Sequence, residues 1–216
     1  DILEILENGN IGLKNPFHPE NSPADLIKII KSLNERGISC PVLLRVTDYL
    51  AFRIKQINNS FFRAIREIRY KGEYKGVFPV KVNQQAQVID RIVEFGKEFD
   101  FGLEVGSKPE LLIALAHDLS ANSTIICNGI KDKEFIHLAI LSLKIGFKTI
   151  LVLESPRELD LIIEISKEIN VRPLLGIRVK LTNKVSGNWS QSSGDRSAFG
   201  LSVEQVMEVI NKLKIY

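Results

Sequence analysis

One lysine stands near the end of an otherwise apolar run. Residues 76–84 read Gly-Val-Phe-Pro-Val-Lys-Val-Asn-Gln, a pattern that predicts a buried strand over 77–82 that stops just past Lys81. Burying an ammonium is costly unless a chemical role uses it. Desolvation favours loss of its proton, and the free amine is a nucleophile suited to a Schiff base. The alternative is that Lys81 reaches the rim of the sheet or pairs with a carboxylate, and this strand alone does not separate the two interpretations.

From Gly76 onward, short apolar runs alternate with amphipathic stretches. Strands are predicted at 77–82, 101–105, 124–127, 149–153 and 174–181, and helices near 86–95, 109–118, 133–145, 157–169 and 203–214. Three helix starts, at Ser107, Ser155 and Ser202, match the capping box. The alternation predicts an α/β fold with a parallel sheet, either doubly wound or a (β/α)8 barrel, and these strands are too few to close the barrel.

The first 75 residues are less regular. A helix is predicted from about Asp25 to Gly37, followed by a strand over 40–46 and a long amphipathic helix that Asp48 caps. We therefore predict an N-terminal extension over 1–75 and an α/β domain over 76–216.

Polar side chains gather where the predicted strands end. They are Lys81, Asn83, Glu104, Ser107, Asn128, Glu154, Arg178 and Lys180. In parallel β/α folds this carboxyl edge is where ligands bind. Lys81, Glu104 and Arg178 are therefore expected to converge on one pocket and to tune each other's charge.

Simpler roles stand beside this hypothesis. Ser107 is in the first place a helix cap, Glu154 could face solvent, and Asn128 with Gly129 is good turn chemistry.

Composition excludes several classes of function. The 216 residues are 44% hydrophobic and 25% charged, with a formal charge of +3, and no basic run carries interleaved aromatics, which argues against nucleic acid. No apolar run approaches the roughly 18 residues of a membrane span. The sequence contains neither a Rossmann nor a Walker motif. Cys40 and Cys127 lack metal-ligand spacing and fit buried hydrophobes in a reducing cytoplasm.

Several spaced segments, in order along the chain, resemble the biosynthetic arginine decarboxylases. These are pyridoxal-phosphate enzymes of the alanine racemase and ornithine decarboxylase fold group. The segments are Pro-Val-Leu-Leu-Arg at 41–45, Phe-Pro-Val-Lys-Val-Asn-Gln at 78–84, Gly-Leu-Glu-Val-Gly-Ser-Lys-Pro-Glu-Leu at 102–111, Cys-Asn-Gly-Ile-Lys-Asp at 127–132, Leu-Gly-Ile-Arg-Val at 175–179, Ser-Gly-Asn-Trp-Ser-Gln-Ser-Ser-Gly at 186–194 and Phe-Gly-Leu at 199–201. The loop with Trp189 is particular to the arginine enzymes. The resemblance implies a partial (β/α)8 barrel, with about five of eight strands, preceded by an extension that belongs with a β domain.

The resemblance also assigns site residues. Lys81 would hold pyridoxal 5'-phosphate as a Schiff base. Glu104, Asn128 and Arg178 would line the cofactor side of the barrel. Ser107, Glu110 and Trp189 would lie on the substrate side or in the layer behind it.

The implied reaction is decarboxylation of L-arginine to agmatine and carbon dioxide, the first step of a polyamine (putrescine and spermidine) route. Mg²⁺ and a homo-oligomer follow from the resemblance alone. In the family, the ring-stacking His, the glycine-rich phosphate turn and the partner of the pyridine nitrogen lie downstream of Tyr216. The sequence is thus interpreted as the front part of a longer decarboxylase, inactive by itself.

Two alternatives stay open. Another enzyme of the fold group, such as a diaminopimelate or ornithine decarboxylase or an amino-acid racemase, would share the lysine motif, although the Trp189 loop and the long N-terminal extension argue against it. A non-catalytic regulator that binds pyridoxal phosphate would keep the barrel and lose the chemistry, and the retained Lys81 favours the enzyme.

Overall fold

A computed structural model describes residues 2–180 and 199–216 of the chain. The chain divides into two compact units, Asp1–Gly72 and Glu73–Tyr216. The predicted domains at 1–75 and 76–216 stay a prediction.

The first unit pairs a small antiparallel sheet with two helices. Strands β1 (Leu3–Ile5), β2 (Ile11–Leu13) and β3 (Ala24–Asp25) pair in the order β1-β2-β3. Helix α1 (Leu26–Glu35) begins where the Asp25 carboxylate accepts the N–H groups of Ile27 and Lys28, and α2 covers Thr47–Glu67. These strands were not predicted, because two or three residues are too few to show alternation.

Two expectations for this unit are wrong. Residues 40–46, predicted as a strand, form no ladder with any described residue, and most of them are exposed to solvent. Pro41 lacks the N–H that a ladder needs. Asp48 does not cap α2 but lies within its first turn, after the capping position Val46.

The second unit is a five-stranded parallel sheet that alternates with helices. Its strands are β4 (Val77–Pro79), β5 (Gly102–Val105), β6 (Thr124–Cys127), β7 (Lys148–Leu153) and β8 (Leu174–Ile177). Its helices are α3 (Ala86–Gly96), α4 (Lys108–Leu115), α5 (Lys133–Lys144), α6 (Pro156–Ile169) and α7 (Val203–Ile215). The strands lie in chain order, β4-β5-β6-β7-β8, without the reversal of a doubly wound sheet. This order is that of a barrel wall.

Two strands end earlier than predicted. β4 stops at Pro79, the last residue paired with β5, and Val80–Val82 form a 3₁₀ turn that carries Lys81. β8 ends at Ile177, and the chain continues only as an isolated bridge between Val179 and Leu201.

The core lies between the sheet and its helices. Its fully buried side chains include Leu103, Ile125 and Leu151 from the strands and Ile89, Leu111, Ile140 and Ile162 from the helices. Burying each such side chain stabilises the fold by roughly 1.5–3 kcal/mol. Cys127 is buried at the end of β6, whereas Cys40, in the first unit, is exposed, contrary to its predicted burial. Among the described residues, no helix combines the length and hydropathy needed to cross a membrane.

Candidate functional site

A lysine, a carboxylate and an amide meet at the carboxyl ends of the first three strands of the parallel sheet. The Nζ atom of Lys81 lies 3.3 Å from Oε1 of Glu104, and Nδ2 of Asn128 donates to the same oxygen at 3.0 Å. Glu104 is a residue of β5, whose four residues are all buried, and it is 5% exposed. The parallel order of β4, β5 and β6 brings the three residues to one edge.

Lys81 is more exposed than its sequence predicts. Its side chain is 61% exposed, because the strand has already ended at Pro79 and the 3₁₀ turn carries the lysine out of the sheet. The expectation of a desolvated ammonium inside a buried strand is therefore wrong. The amine instead lies between solvent and a buried carboxylate.

The second oxygen of Glu104 is buried and has no hydrogen-bond donor in the part of the chain that the structure describes. A buried polar atom without a partner costs about 1–3 kcal/mol, and a charged carboxylate costs more. Such an atom beside a reachable amine fits a ligand that brings its own donor or positive charge.

A second carboxylate cluster occupies the ends of β7 and β8. Glu154, 5% exposed, accepts hydrogen bonds from Nη1 of Arg178 at 2.9 Å and from the N–H groups of Gly129 and Gly200, each at 3.0 Å. The guanidinium of Arg178 also lies 5.0 Å from the ring centroid of Phe199, within range of a cation–π interaction. The alternative that Glu154 faces solvent is therefore wrong.

One turn connects the two clusters. The side-chain amide of Asn128 donates a hydrogen bond to Glu104, and the N–H of Gly129 donates one to Glu154. Gly129 has φ +76°, and a Cβ there would lie 2.9 Å from the carbonyl oxygen of Gly106, so the turn requires glycine. The described contacts thus group Lys81 with Glu104 and Arg178 with Glu154, and a single pocket shared by all of them stays a prediction.

Ser107 and Glu110 organise the start of α4. Ser107 Oγ accepts the N–H of Glu110 at 3.4 Å, whereas the Glu110 carboxylate accepts the N–H of Gly106 at 2.7 Å and the side-chain amide of Gln84 at 3.0 Å. Their place on the substrate side stays a prediction. Trp189 lies outside the described residues.

Behind this edge lies a buried ion pair that the sequence did not predict. The side chain of Lys131 is 0% exposed, and its Nζ lies 3.3 Å from Oε2 of Glu158, whose side chain is 5% exposed. Burial lowers the pKa of the Lys131 ammonium, and the charge of Glu158 opposes that shift. Burial also raises the pKa of the nearby Cys127 thiol to about 12. The available signal was charge in two short segments that each follow a buried strand, and Glu158 stands three residues after Ser155, where a capping box places its Glu.

Ser155 in fact makes no side-chain capping hydrogen bond. Glu158 instead accepts the N–H of Glu154 at 2.8 Å. The capping box predicted at Ser202 is present with both of its hydrogen bonds.

A metal site requires several ligating side chains close together. Among residues 2–180 and 199–216, no three His, Cys, Asp or Glu side chains cluster as a metal site would require. The Mg²⁺ ion suggested by the resemblance stays a prediction.

Comparison with known proteins decides the family. Residues 54–215 match the family described as pyridoxal-dependent decarboxylase, pyridoxal binding domain. The chain belongs to this family. Pyridoxal phosphate, predicted from the resemblance, is thus the family's cofactor. For this pyridoxal binding domain, the carboxyl edge is where the cofactor is expected.

The relatives of this pyridoxal binding domain are longer proteins. Biosynthetic arginine decarboxylases of Gloeobacter violaceus and Prochlorococcus marinus are 46% and 48% identical to it over 212 residues, which is 98% of this chain and 33% of each relative. The chain therefore spans about a third of the length of the curated relatives it matches.

Solved structures confirm the predicted fold. The crystal structure of the biosynthetic arginine decarboxylase of Campylobacter jejuni matches 99% of this chain and 33% of its own, with a TM-score of 0.84 and 32% identity. A diaminopimelate decarboxylase of M. jannaschii matches 98% of this chain and 44% of its own, with a TM-score of 0.69. At 22% identity, that likeness concerns the fold alone.

Proposed function

We propose that the protein containing this pyridoxal binding domain decarboxylates L-arginine to agmatine and carbon dioxide. The observation that carries the proposal is a solvent-reachable lysine amine, Lys81, 3.3 Å from a buried carboxylate that has one oxygen without a described donor. The names of the relatives that are 46–48% identical support arginine as the substrate. A role of the product in polyamine formation stays a prediction from the resemblance.

The residues of the edge would divide the work of holding the cofactor. Lys81 would bind it covalently through its amine. Glu104 would offer its unpaired oxygen to a donor on the cofactor, and Asn128 and Arg178 would line the same side. When bound, pyridoxal phosphate supplies the electron-accepting ring that takes up the electron pair left behind as the α-carboxylate departs as carbon dioxide.

The side chains of this chain would supply orientation and charge. Asn128 and Lys81 both donate to Oε1 of Glu104, which leaves Oε2 as the oxygen free to meet a ligand. Because the Lys81 side chain is exposed, a ligand can reach its amine. Arg178, whose side chain is 48% exposed, would be available to an anionic group, while Glu154 fixes its position.

Trapping the cofactor on its lysine tests the proposal. Full-length protein mixed with pyridoxal phosphate should develop a visible absorbance band, and borohydride should fix the cofactor on the peptide that contains Lys81. Lys81→Ala should lose both the label and the release of carbon dioxide from arginine. Lys108→Ala is the matched control, since this lysine of the same edge is engaged by Asp132 and Glu134. A label on another lysine would refute the assignment.

The substrate needs a separate measurement. Release of carbon dioxide from carboxyl-labelled arginine, ornithine and diaminopimelate should be compared at equal concentration, and arginine should be favoured. A preference for either competitor would replace arginine decarboxylation with another reaction of the fold group. The homo-oligomer and the cytoplasmic location remain predictions that these assays do not address.

A further inference from the structure

The segment Asn128-Gly129-Ile130-Lys131 holds both carboxylates of the edge. Its first residue donates to Glu104, and its second donates to Glu154. Any shift of this turn would therefore move the donors of both carboxylates at once. What fixes the turn also fixes the spacing between the Lys81 cluster and the Arg178 cluster.

The ammonium of Lys131 folds back onto this turn. Its Nζ donates to the carbonyl oxygen of Gly129 at 2.5 Å and to that of Val152, in β7, at 2.6 Å. One buried cation thus ties the turn after β6 to the end of the neighbouring strand.

The carboxylate of Glu158 completes the tie from the other side. It accepts the N–H of Lys131 at 2.9 Å with one oxygen and the N–H of Glu154 at 2.8 Å with the other. The backbone of Glu154 is therefore held by the same ion pair that holds the turn. Every hydrogen bond of this pair goes to main chain at the ends of β6 and β7.

Such a pair is a costly way to stabilise a fold. Removing two charges from water offsets most of the attraction between them, and an apolar pair of similar volume would often serve the fold equally well. What an apolar pair could not do is bind two carbonyl groups and two N–H groups in fixed directions. The geometry therefore suits the pair to placing the functional groups in front of it.

We infer that Lys131 and Glu158 are positioning residues for the proposed reaction. Their ion pair fixes the Asn128–Gly129 turn relative to Glu154, and through it the orientation of Glu104 and Arg178. Neither residue contacts the cofactor in this scheme. The inference rests on the proposed function, because the edge that the pair organises is the proposed cofactor site.

The test replaces the pair without leaving a lone buried charge. In the full-length protein, the double variant Lys131→Met/Glu158→Gln should be titrated with pyridoxal phosphate, and the absorbance of the bound cofactor should be followed. The matched control is Lys133→Met/Glu164→Gln, which makes the same changes in an exposed ion pair that joins α5 to α6. A second control, Ile165→Ala, destabilises the core through α6 without touching the edge.

Loosening the turn should weaken cofactor binding by about tenfold to a hundredfold, as losses of supporting hydrogen bonds behind a site do. The affinity of both controls should stay within about twofold of wild type. Binding by the Lys131/Glu158 variant equal to that of Ile165→Ala would overturn the inference. Failure of this variant to fold, when Ile165→Ala folds, would also overturn it, since the pair would then serve the fold. If the wild-type protein itself bound no cofactor, the proposed function would fail instead.

Discussion

The two carboxylate oxygens of Glu104 differ in their hydrogen-bond partners. One receives Lys81 and Asn128, and the other is buried with no donor among the described residues. A site that leaves an acceptor in this state is prepared for a ligand, because the carboxylate is desolvated before the ligand arrives. At the scale of single residues, the chemistry is therefore set more by Glu104 than by the burial of Lys81.

Glu104→Gln should lower kcat/KM for arginine in the full-length protein by about a hundredfold, the usual order when one placed charge at a site is removed. The amide keeps the size of the side chain but takes the negative charge from Lys81 and turns one acceptor into a donor. Steady-state kinetics with a cofactor titration would measure the effect. Glu94→Gln, at an exposed position of α3, is the control and should leave kcat/KM unchanged. Equal kcat/KM values for the two variants would show that Glu104 is not part of the site.

At the scale of elements, two helix starts with the same sequence pattern differ in the hydrogen bonds they make. Ser155 and Ser202 both precede a helix and carry Glu or Gln three residues later. Only Ser202 makes the reciprocal hydrogen bonds, whereas Glu158 turns away to serve Lys131 and Glu154. The helices were predicted correctly at both places, because apolar periodicity determines them more than the cap does.

Ser202→Ala should lower the free energy of unfolding by about 1 kcal/mol, because it removes the acceptor for the Gln205 N–H. Ser155→Ala should have almost no effect, since its hydroxyl makes no capping hydrogen bond. Urea midpoints of the two variants, measured side by side, would compare them. Equal losses at both positions would contradict the difference between the two helix starts.

Sequence patterns predicted the strands and helices better than they predicted where each one ends. The strand ends made Lys81, Glu104 and Arg178 candidates for a site, and periodicity predicted all five parallel strands and the helices between them. It could not show that β4 ends at Pro79, because Val80 and Val82 continue the apolar pattern through the 3₁₀ turn. Partners distant in sequence, such as Lys131 with the carbonyl of Val152, depend on strand order and have no local signature.

At the amino ends of the parallel strands, Asp100, just before β5, joins the loop before β4 to the loop before β6. It takes a left-handed conformation at φ 51° and accepts hydrogen bonds from Lys75 Nζ at 2.8 Å and from Ser120 Oγ at 2.6 Å. The hydrogen bonds from Lys75 and Ser120 lower the pKa of its carboxyl below the ordinary value. The stability contributed by this group is therefore present above the unfolded pKa and is lost as pH falls through the lower folded pKa.

Asp100→Asn keeps a side chain that tolerates the left-handed conformation but cannot carry the charge. We expect it to lower the free energy of unfolding by about 1 kcal/mol at pH 7. The difference from wild type should shrink once pH falls below about 4, the ordinary value for aspartate. Urea titrations at pH 7 and pH 3 would measure it. If the difference in the free energy of unfolding stayed the same at pH 7 and pH 3, the charge of Asp100 would not contribute to stability.

At the scale of the whole molecule, the parallel sheet has two outer strands. As far as the described residues extend, β4 and β8 each have one neighbouring strand in the ladder. Unpaired strand edges invite pairing with another chain, and parallel sheets normally have their neighbours covered. Residues 1–216 produced alone should therefore associate rather than remain monomeric.

Light scattering on purified residues 1–216 should show a mass above that of one chain, and an assay with arginine and pyridoxal phosphate should show no release of carbon dioxide. Leu174→Lys places a charge on the outer strand β8, at a side chain that is 45% exposed, and should reduce the association. A stable monomer with turnover would contradict both expectations and indicate a self-contained enzyme.

The two thiols differ in exposure, so an alkylating reagent should modify one cysteine of the folded molecule and not the other. Cys40 is exposed, whereas Cys127 is buried and the pKa of its thiol is raised to about 12, so hardly any thiolate exists there at neutral pH. A maleimide should add once to the folded chain and twice after denaturation, which mass spectrometry can count. A fluorophore on Cys40 would then report on the first unit while leaving the carboxyl edge of the second chemically untouched.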